Sequence, residues 1–186
     1  MTPIRDGGPS TPETRDAATR RSIRPARSRD LDVLQPVIER AYRGDSAKLG
    51  WTHEADLLSD PRTDMATLAH IVDSPAQVLL AMFEDDTPLG CVNVADRGAG
   101  MAYLGLLCIE PARQGEHLGR QLIAAAEAHA RDVFGCTAIE MTVIDRRQEL
   151  IAYYVRRGWR VTGEKRDFPI PLDPPFFMEV LVKALT

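Results

Sequence analysis

The chain has 186 residues, 44% of them hydrophobic, and a formal net charge of −4. That length suits one ordinary domain with a sizeable core. The acidic balance argues against nucleic acid and anionic membranes as partners, and no apolar run is long enough to cross a bilayer.

Residues 1–21 hold Met1 and Ile4 as their only large apolar side chains. Such a segment cannot bury enough surface to offset its ordering entropy, so it reads as a flexible tail, or alternatively as one that folds onto a partner. It lacks the apolar stretch of a signal peptide. Cys91, Cys108 and Cys136 have no metal-ligand spacing and lie in apolar surroundings. They read as reduced, buried thiols of a cytoplasmic protein without a metal site.

Order is expected from Ser22, with one domain over residues 22–186. Ser22 to Arg27 reads as an edge-like strand that tolerates Pro25. Ser28 is placed to cap a helix carrying Leu31, Leu34, Val37, Ile38 and Ala41 at helical spacing, with Pro36 as a possible kink point. A loop from Arg43 to Gly50, a short helix from Thr52 to Leu58 and a helix from Thr63 to Val72 follow.

Strands come next. Gln77 to Glu84 and Pro88 to Asp96 flank Asp85 to Thr87, a hairpin turn. Met101 to Ile109 is nearly all apolar and is expected to be buried on both faces. A long helix then runs to Gly135. Thr137 to Ile144 is a strand, Gln148 to Arg157 a helix stopped by Gly158, and two strands close the chain. The class is α/β: a mixed, mostly antiparallel central sheet flanked by helices, in a single domain.

The stretch "IEPARQGEHLGRQL" joins the Met101 strand to the long helix. Pro111 cannot continue a ladder, so the strand ends there. Gly115 and Gly119 remove side chains where a bulky group must approach the backbone. A helix N-terminus adds unpaired N–H groups and partial positive charge. The product is a phosphate-sized cradle, but neither a Walker loop nor a dinucleotide fingerprint.

At these residues the sequence resembles the GNAT superfamily of acyl-CoA-dependent N-acyltransferases, whose cofactor motif is Gln/Arg-x-x-Gly-x-Gly/Ala. Gln114, Leu118 and Gly119 match it well, while His117 stands where the family usually has glycine. A second likeness lies in "ELIAYYVRRGW", where Tyr154 precedes Gly158 and Trp159 as a tyrosine does in the family. The order of elements agrees from Ser22 onward.

The resemblance implies that backbone N–H groups of Gln114, Gly115, Glu116, His117, Leu118 and Gly119, with Arg120 beside them, hold the pyrophosphate of acetyl-CoA. It implies that Leu107, Cys108 and Ile109 pair their backbone with the pantetheine arm, as an added strand would. Tyr154 would be the general acid that protonates the departing thiolate, since a phenol stays protonated at neutral pH. The bland alternative for Tyr154 is a core aromatic. Glu140 shares a strand face with Thr142, and a carboxylate there needs a reason. It reads either as the general base or as a structural group ion-paired with an arginine, with Glu110 as the next candidate base. The family usually builds its acceptor pocket in the region from Ala41 to Asp64, which here offers Tyr42, Trp51, His53, Glu54 and Asp56. Tyr42, Trp51 and Glu54 are the expected acceptor contacts, against a reading as helix caps and a solvated acidic face. Phe168 to Phe177 is the expected opposite wall.

The expected activity is therefore transfer of an acetyl group from acetyl-CoA to a primary amine of a small molecule, by direct attack. Two alternatives stay open: a peptide or protein N-acetyltransferase with an open groove, and a non-catalytic acyl-CoA-binding regulatory module. A homodimer is among the expected assemblies; nucleic acid, membrane and metal are not expected partners.

Overall fold

A computed structural model describes residues 20–43, 61–168 and 175–186. Strand β1 (Arg21–Pro25) leads through a short 3-10 turn, Ser28–Asp30, into helix α1 (Leu31–Tyr42), and α2 (Met65–Asp73) follows. Next come β2 (Gln77–Glu84), β3 (Thr87–Asp96) and β4 (Met101–Ile109), then α3 (Leu118–Asp132), β5 (Ala138–Ile144), α4 (Gln148–Val155), β6 (Arg160–Asp167) and β7 (Phe177–Ala184). One seven-stranded sheet forms in the order β1-β2-β3-β4-β5-β7-β6. Its one parallel pair is β4 with β5; every other pair is antiparallel. This is the expected mixed, mostly antiparallel architecture.

The sheet separates two apolar layers, and the strands show why. Side chains alternate between faces along a strand. On β2, Val78, Leu80 and Met82 join the layer containing Leu118, Leu122 and Ala126 of α3. Leu79, Ala81 and Phe83 join the layer containing Leu34 and Ile38 of α1 and Leu68 of α2. Leu118 is only 1% exposed, so truncating it to alanine is expected to cost about 2–5 kcal/mol.

Local chemistry shifts several boundaries. The strand begins at Arg21, one residue inside the expected tail; residues 1–19 lie outside the described residues. Ser28 does not cap α1. Instead the Asp30 carboxylate accepts from the Arg27 amide at 2.8 Å and from the Arg24 guanidinium at 2.7 and 2.9 Å. These charge-assisted bonds hold the Asp30 carboxyl down at about 2. Pro36 is accommodated inside α1, which continues to Tyr42. α2 starts at Met65 because Asp64, not Thr63, supplies the capping oxygen, accepting from the Thr67 amide at 2.7 Å. The Asp85-Asp86 turn closes the β2–β3 hairpin, with Glu84 opposite Thr87. The expected loop after Arg43 and the helix from Thr52 to Leu58 lie outside the described residues.

The correction that matters for the site is in β4. It is not buried on both faces: Met101, Tyr103, Gly105 and Leu107 are half-buried, alternating with buried neighbours. A bulge lies in the same strand. Cys91 opposes Cys108 and Asn93 opposes Gly105, so Leu106 and Leu107 share the place facing Val92. Leu106 takes a left-handed backbone, φ 49°, with no glycine to signal it. The extra residue reverses the alternation. Leu104 belongs to the α3 layer, but Leu106 and Cys108 belong to the α1 layer.

Candidate active site

Pairing between β4 and β5 covers only Met101–Tyr103 against Ala138–Glu140. Past that point the strands part, and a cleft of about 800 Å³ opens, lined by Leu104 to Ile109 on one side and Met141 to Ile144 on the other. Two parallel strands that stop pairing leave backbone donors and acceptors facing a gap, which an extended ligand can satisfy as an added strand would. Leu107, Cys108 and Ile109, the expected pantetheine contacts, line this gap. One of their acceptors is already used: the Tyr42 hydroxyl donates to the Leu107 carbonyl at 2.7 Å.

The cradle sits at one end of the cleft. Pro111–Arg113 form a 3-10 turn, Gly115 has φ 91°, and His117 caps α3 from a left-handed conformation, φ 63°. Among the described residues, the N–H groups of Gly115, Glu116, His117, Leu118 and Gly119 have no protein acceptor. Five unpaired donors at the positive end of a 15-residue helix make an anion site. The space above them is open. A Cβ on Gly115 would meet nothing within 4 Å, and one on Gly119 would meet only Ile109 Cγ1, at 3.9 Å. Gln114, Gly115, His117, Leu118, Gly119 and Arg120 line the cleft; Glu116 does not.

Glu116 is turned outward and braced. Arg113 pairs with both Glu116 and Glu84, and Arg21 reaches Glu84 at 2.7 Å and Glu116 at 3.3 Å. The two guanidiniums hold the Glu84 carboxyl at about 2. A negative side chain within the cradle sequence is thereby drawn away from where phosphates would sit. Nothing in the sequence pattern links Arg21, Glu84 and Glu116, which lie on β1, β2 and the loop.

Tyr154 projects from α4 into the cleft and is 7% exposed. Its ring is set by edge contacts with Trp159, centroids 6.1 Å apart, and Tyr153, at 5.3 Å. Burial pushes its phenol well above the ordinary value, so it keeps its proton. No hydrogen bond engages its hydroxyl among the described residues.

The expected bases stand differently. Glu140 is held by Arg166 at 2.7 and 3.0 Å, a bidentate pair, and does not line the cleft. Glu110 is held by Arg40 at 2.8 and 3.1 Å and lies outside the lining as well. Asp167, at the end of β6, is the one carboxylate among the described lining residues, and its sequence context did not mark it. Tyr103 and Thr142 join across the cleft floor, hydroxyl to hydroxyl, at 2.9 Å. Arg97 stacks on the Tyr103 ring at 5.0 Å, so the polar end of the cleft is cationic.

Of the expected acceptor contacts, Tyr42 lines the cleft, with the Arg62 guanidinium 4.8 Å from its ring centroid. Trp51 and Glu54, with His53 and Asp56, lie outside the described residues. Of the expected opposite wall, Phe168 lines the cleft and packs edge-on against Phe176 at 6.2 Å; residues 169–174 lie outside the described residues.

A model of the acetyltransferase (GNAT) family matches residues 45–159, more than half of the chain. A blasticidin-S acetyltransferase from Streptomyces morookaense is 34% identical over 83 residues, 45% of this chain. The match spans 57% of that relative's length, less than two thirds of it. Among solved structures, the ribosomal-protein-S18-alanine N-acetyltransferase of Escherichia coli superposes with a TM-score of 0.69 at 14% identity, covering 90% of this chain and 95% of that one. The PaiA N-acetyltransferase of Thermoplasma acidophilum, solved with coenzyme A, gives 0.67 at 19% identity, covering 89% and 99%. Likenesses at such identities establish the shared fold.

Proposed function

The chain belongs to the GNAT family of acetyltransferases, and on that premise we propose that it transfers an acetyl group from acetyl-CoA to a primary amine of a small molecule by direct attack. The observation that carries this reading is one cleft that joins an unpaired N–H cradle at α3 to the buried, unengaged hydroxyl of Tyr154. Acetyl-CoA supplies the activated acyl group. Gly115, His117, Leu118 and Gly119 bind its pyrophosphate through their N–H groups, with Arg120 at the same edge. Leu107, Cys108 and Ile109 orient its arm along the unpaired edge of β4.

Tyr154 holds the proton that the departing thiolate needs, and its raised phenol keeps that proton until negative charge develops beside it. The base is assigned to Asp167, the carboxylate at the cleft, acting directly or through water. Glu140 has both oxygens engaged by Arg166 and serves to hold that guanidinium at the cleft wall. Among the described lining residues, arginines, including Arg97 and Arg166, outnumber carboxylates. That balance favours an amine on an amino-acid-like compound over a polycation. The blasticidin-S acetyltransferase relative supports a small-molecule acceptor.

The test is acetyl-CoA-dependent release of free thiol against a panel of amino-acid-like amines, polyamines and peptides. Turnover is expected with the first group. Turnover confined to peptides would replace the small-molecule reading, and binding of acetyl-CoA without turnover on any amine would leave a regulatory module.

A further inference from the structure

Two buried thiols have no part in the chemistry above. Cys91 on β3 and Cys108 on β4 are directly opposed across the antiparallel pair, and their sulfurs are 3.6 Å apart. Directly opposed residues in such a pair have Cα atoms about 4.5–5.5 Å apart, inside the ~4.4–6.8 Å range of disulfides. Cys136 is elsewhere, its sulfur 3.9 Å from an Asp96 carboxylate oxygen. Both opposed cysteines are buried, Cys91 at 0% and Cys108 at 4% exposure, and Cys108 is among the residues that line the cleft, between Leu107 and Ile109.

We propose that Cys91 and Cys108 are an oxidation site, closed to a disulfide by a low-molecular-weight disulfide entering the cleft, and that closure weakens acyl-CoA binding. The second clause rests on the cofactor reading above; the first does not. The thiolate of Cys108 attacks one sulfur of the incoming disulfide, forming a mixed disulfide and releasing one small thiol. Cys91 then attacks the Cys108 sulfur, forming the intramolecular bond and releasing the second small thiol. The two cysteine protons end on the two released thiols, so the oxidant is reduced by two electrons and the protein is oxidised by two. The hydrogen bond with Cys108 and then burial push the Cys91 thiol up, so Cys108 is assigned the first attack and Cys91 the second, on a sulfur already held 3.6 Å away.

Closure has a place to act. The sulfurs must move from 3.6 Å to the ~2.05 Å of a disulfide bond. Cys91 Sγ also lies 3.9 Å from the Leu106 carbonyl, inside the bulge. The sulfurs close that gap by side-chain rotation beside the left-handed Leu106, and the shift of Cys108 is passed to Leu107 and Ile109, the edge assigned to the cofactor arm.

The test uses the full chain under native conditions with dithiodipyridine as oxidant. Release of two thiopyridones per chain is expected, with a mass lower by two hydrogens and a digest that joins the Cys91 and Cys108 peptides. Cys91→Ala should stop at the mixed disulfide, and Cys136→Ala should still close. Acetyl-CoA affinity, read by calorimetry, should fall at least about tenfold on closure, equal to ~1.4 kcal/mol, and return with dithiothreitol. Reaction only in denaturant, or a bridge to Cys136, would overturn the site. A bridge that leaves affinity unchanged would overturn the control. A bridge in a protein that binds no acetyl-CoA even when reduced would sink the cofactor reading and the control together, leaving the oxidation site standing.

Discussion

The two ends of the cleft are built from different materials. The end proposed for the cofactor is mostly backbone: a bulged strand, a turn and the first N–H groups of α3, all within residues 104–119. The end proposed for the acceptor is side chains brought from far apart: Tyr42 from α1, Tyr103 from β4, Thr142 from β5, and Arg166 and Asp167 from β6. A backbone site depends on which conformations its residues can reach. A side-chain site depends on the sheet order that assembles it. The first should therefore be broken by adding bulk or charge, and the second by deleting single polar atoms.

The largest effect is expected at the cofactor end. Gly119→Glu places a carboxylate where a Cβ has free space over the α3 N-terminus. Like charge against a pyrophosphate should weaken acetyl-CoA binding by at least about 100-fold in calorimetry, without unfolding the chain, because the side chain enters open space. Binding within threefold of the parent, about 0.6 kcal/mol, would mean that the cradle is not the phosphate site. Next in size is Tyr154→Phe, which removes one oxygen and keeps the ring contacts with Trp159 and Tyr153. The expected loss in kcat is about 10²-fold, with acetyl-CoA affinity retained, and a substrate with a more acidic thiol should recover part of it. Full activity in the variant would assign proton delivery to water.

The same contrast explains what could be read from sequence. The cradle was legible because its signals are contiguous: Pro111 ends the strand, Gly115 and Gly119 open space, and an amphipathic helix follows. The β2–β3 hairpin and the alternation on β5 were legible for the same reason. The β4 bulge was not, because Leu106 adopts φ 49° under tertiary constraint with a side chain that gives no local hint. The reading of β4 as buried on both faces failed because an apolar run does not distinguish burial under a helix from exposure to a cleft. Glu140 stood out as a carboxylate on a central strand. Its partner Arg166, 26 residues on, and the cleft-lining Asp167 come from β6, which the sheet order places one strand beyond, across β7.

Two carboxylate variants sharpen the acceptor end. Asp167→Asn should lower kcat/KM by about tenfold at neutral pH and by less as pH rises towards the amine's own pKa, steepening the profile, since the amine must then lose its proton to bulk water. Glu140→Gln should keep the shape of the pH profile and cost less, because its role is to hold Arg166. A steepened profile in Glu140→Gln and an ordinary one in Asp167→Asn would exchange the two assignments.

A smaller effect is expected from the brace outside the cradle. Glu84→Gln releases Arg113 and Arg21 from their shared carboxylate, and acetyl-CoA affinity should fall by about threefold, as expected for part-exposed ion pairs, and by less at high salt. The pH dependence has a definite sign. The folded Glu84 carboxyl sits at about 2, below its unfolded value of roughly 4.3. The stabilisation is thus complete above that unfolded value and is lost as pH falls through about 4 towards 2. Parent and Glu84→Gln unfolding curves should therefore converge at acid pH; curves that stay equally far apart from pH 7 down to pH 2 would remove the brace.

The smallest effect, and the finest test of a backbone-built site, is His117→Gly. His117 holds φ 63°, a conformation that costs an L-residue roughly 1–2 kcal/mol and glycine nothing. Glycine also enlarges the unfolded ensemble, at roughly 0.5–1 kcal/mol, so the two terms nearly cancel and stability should change by less than about 1 kcal/mol. The N–H group at this position survives the substitution. If the cradle works through backbone donors, acetyl-CoA affinity in His117→Gly should stay within about threefold of the parent. A loss of tenfold or more, with the melting temperature unchanged, would show that the imidazole itself grips the ligand. The cofactor end would then be a side-chain site as well, and the contrast with the acceptor end would collapse.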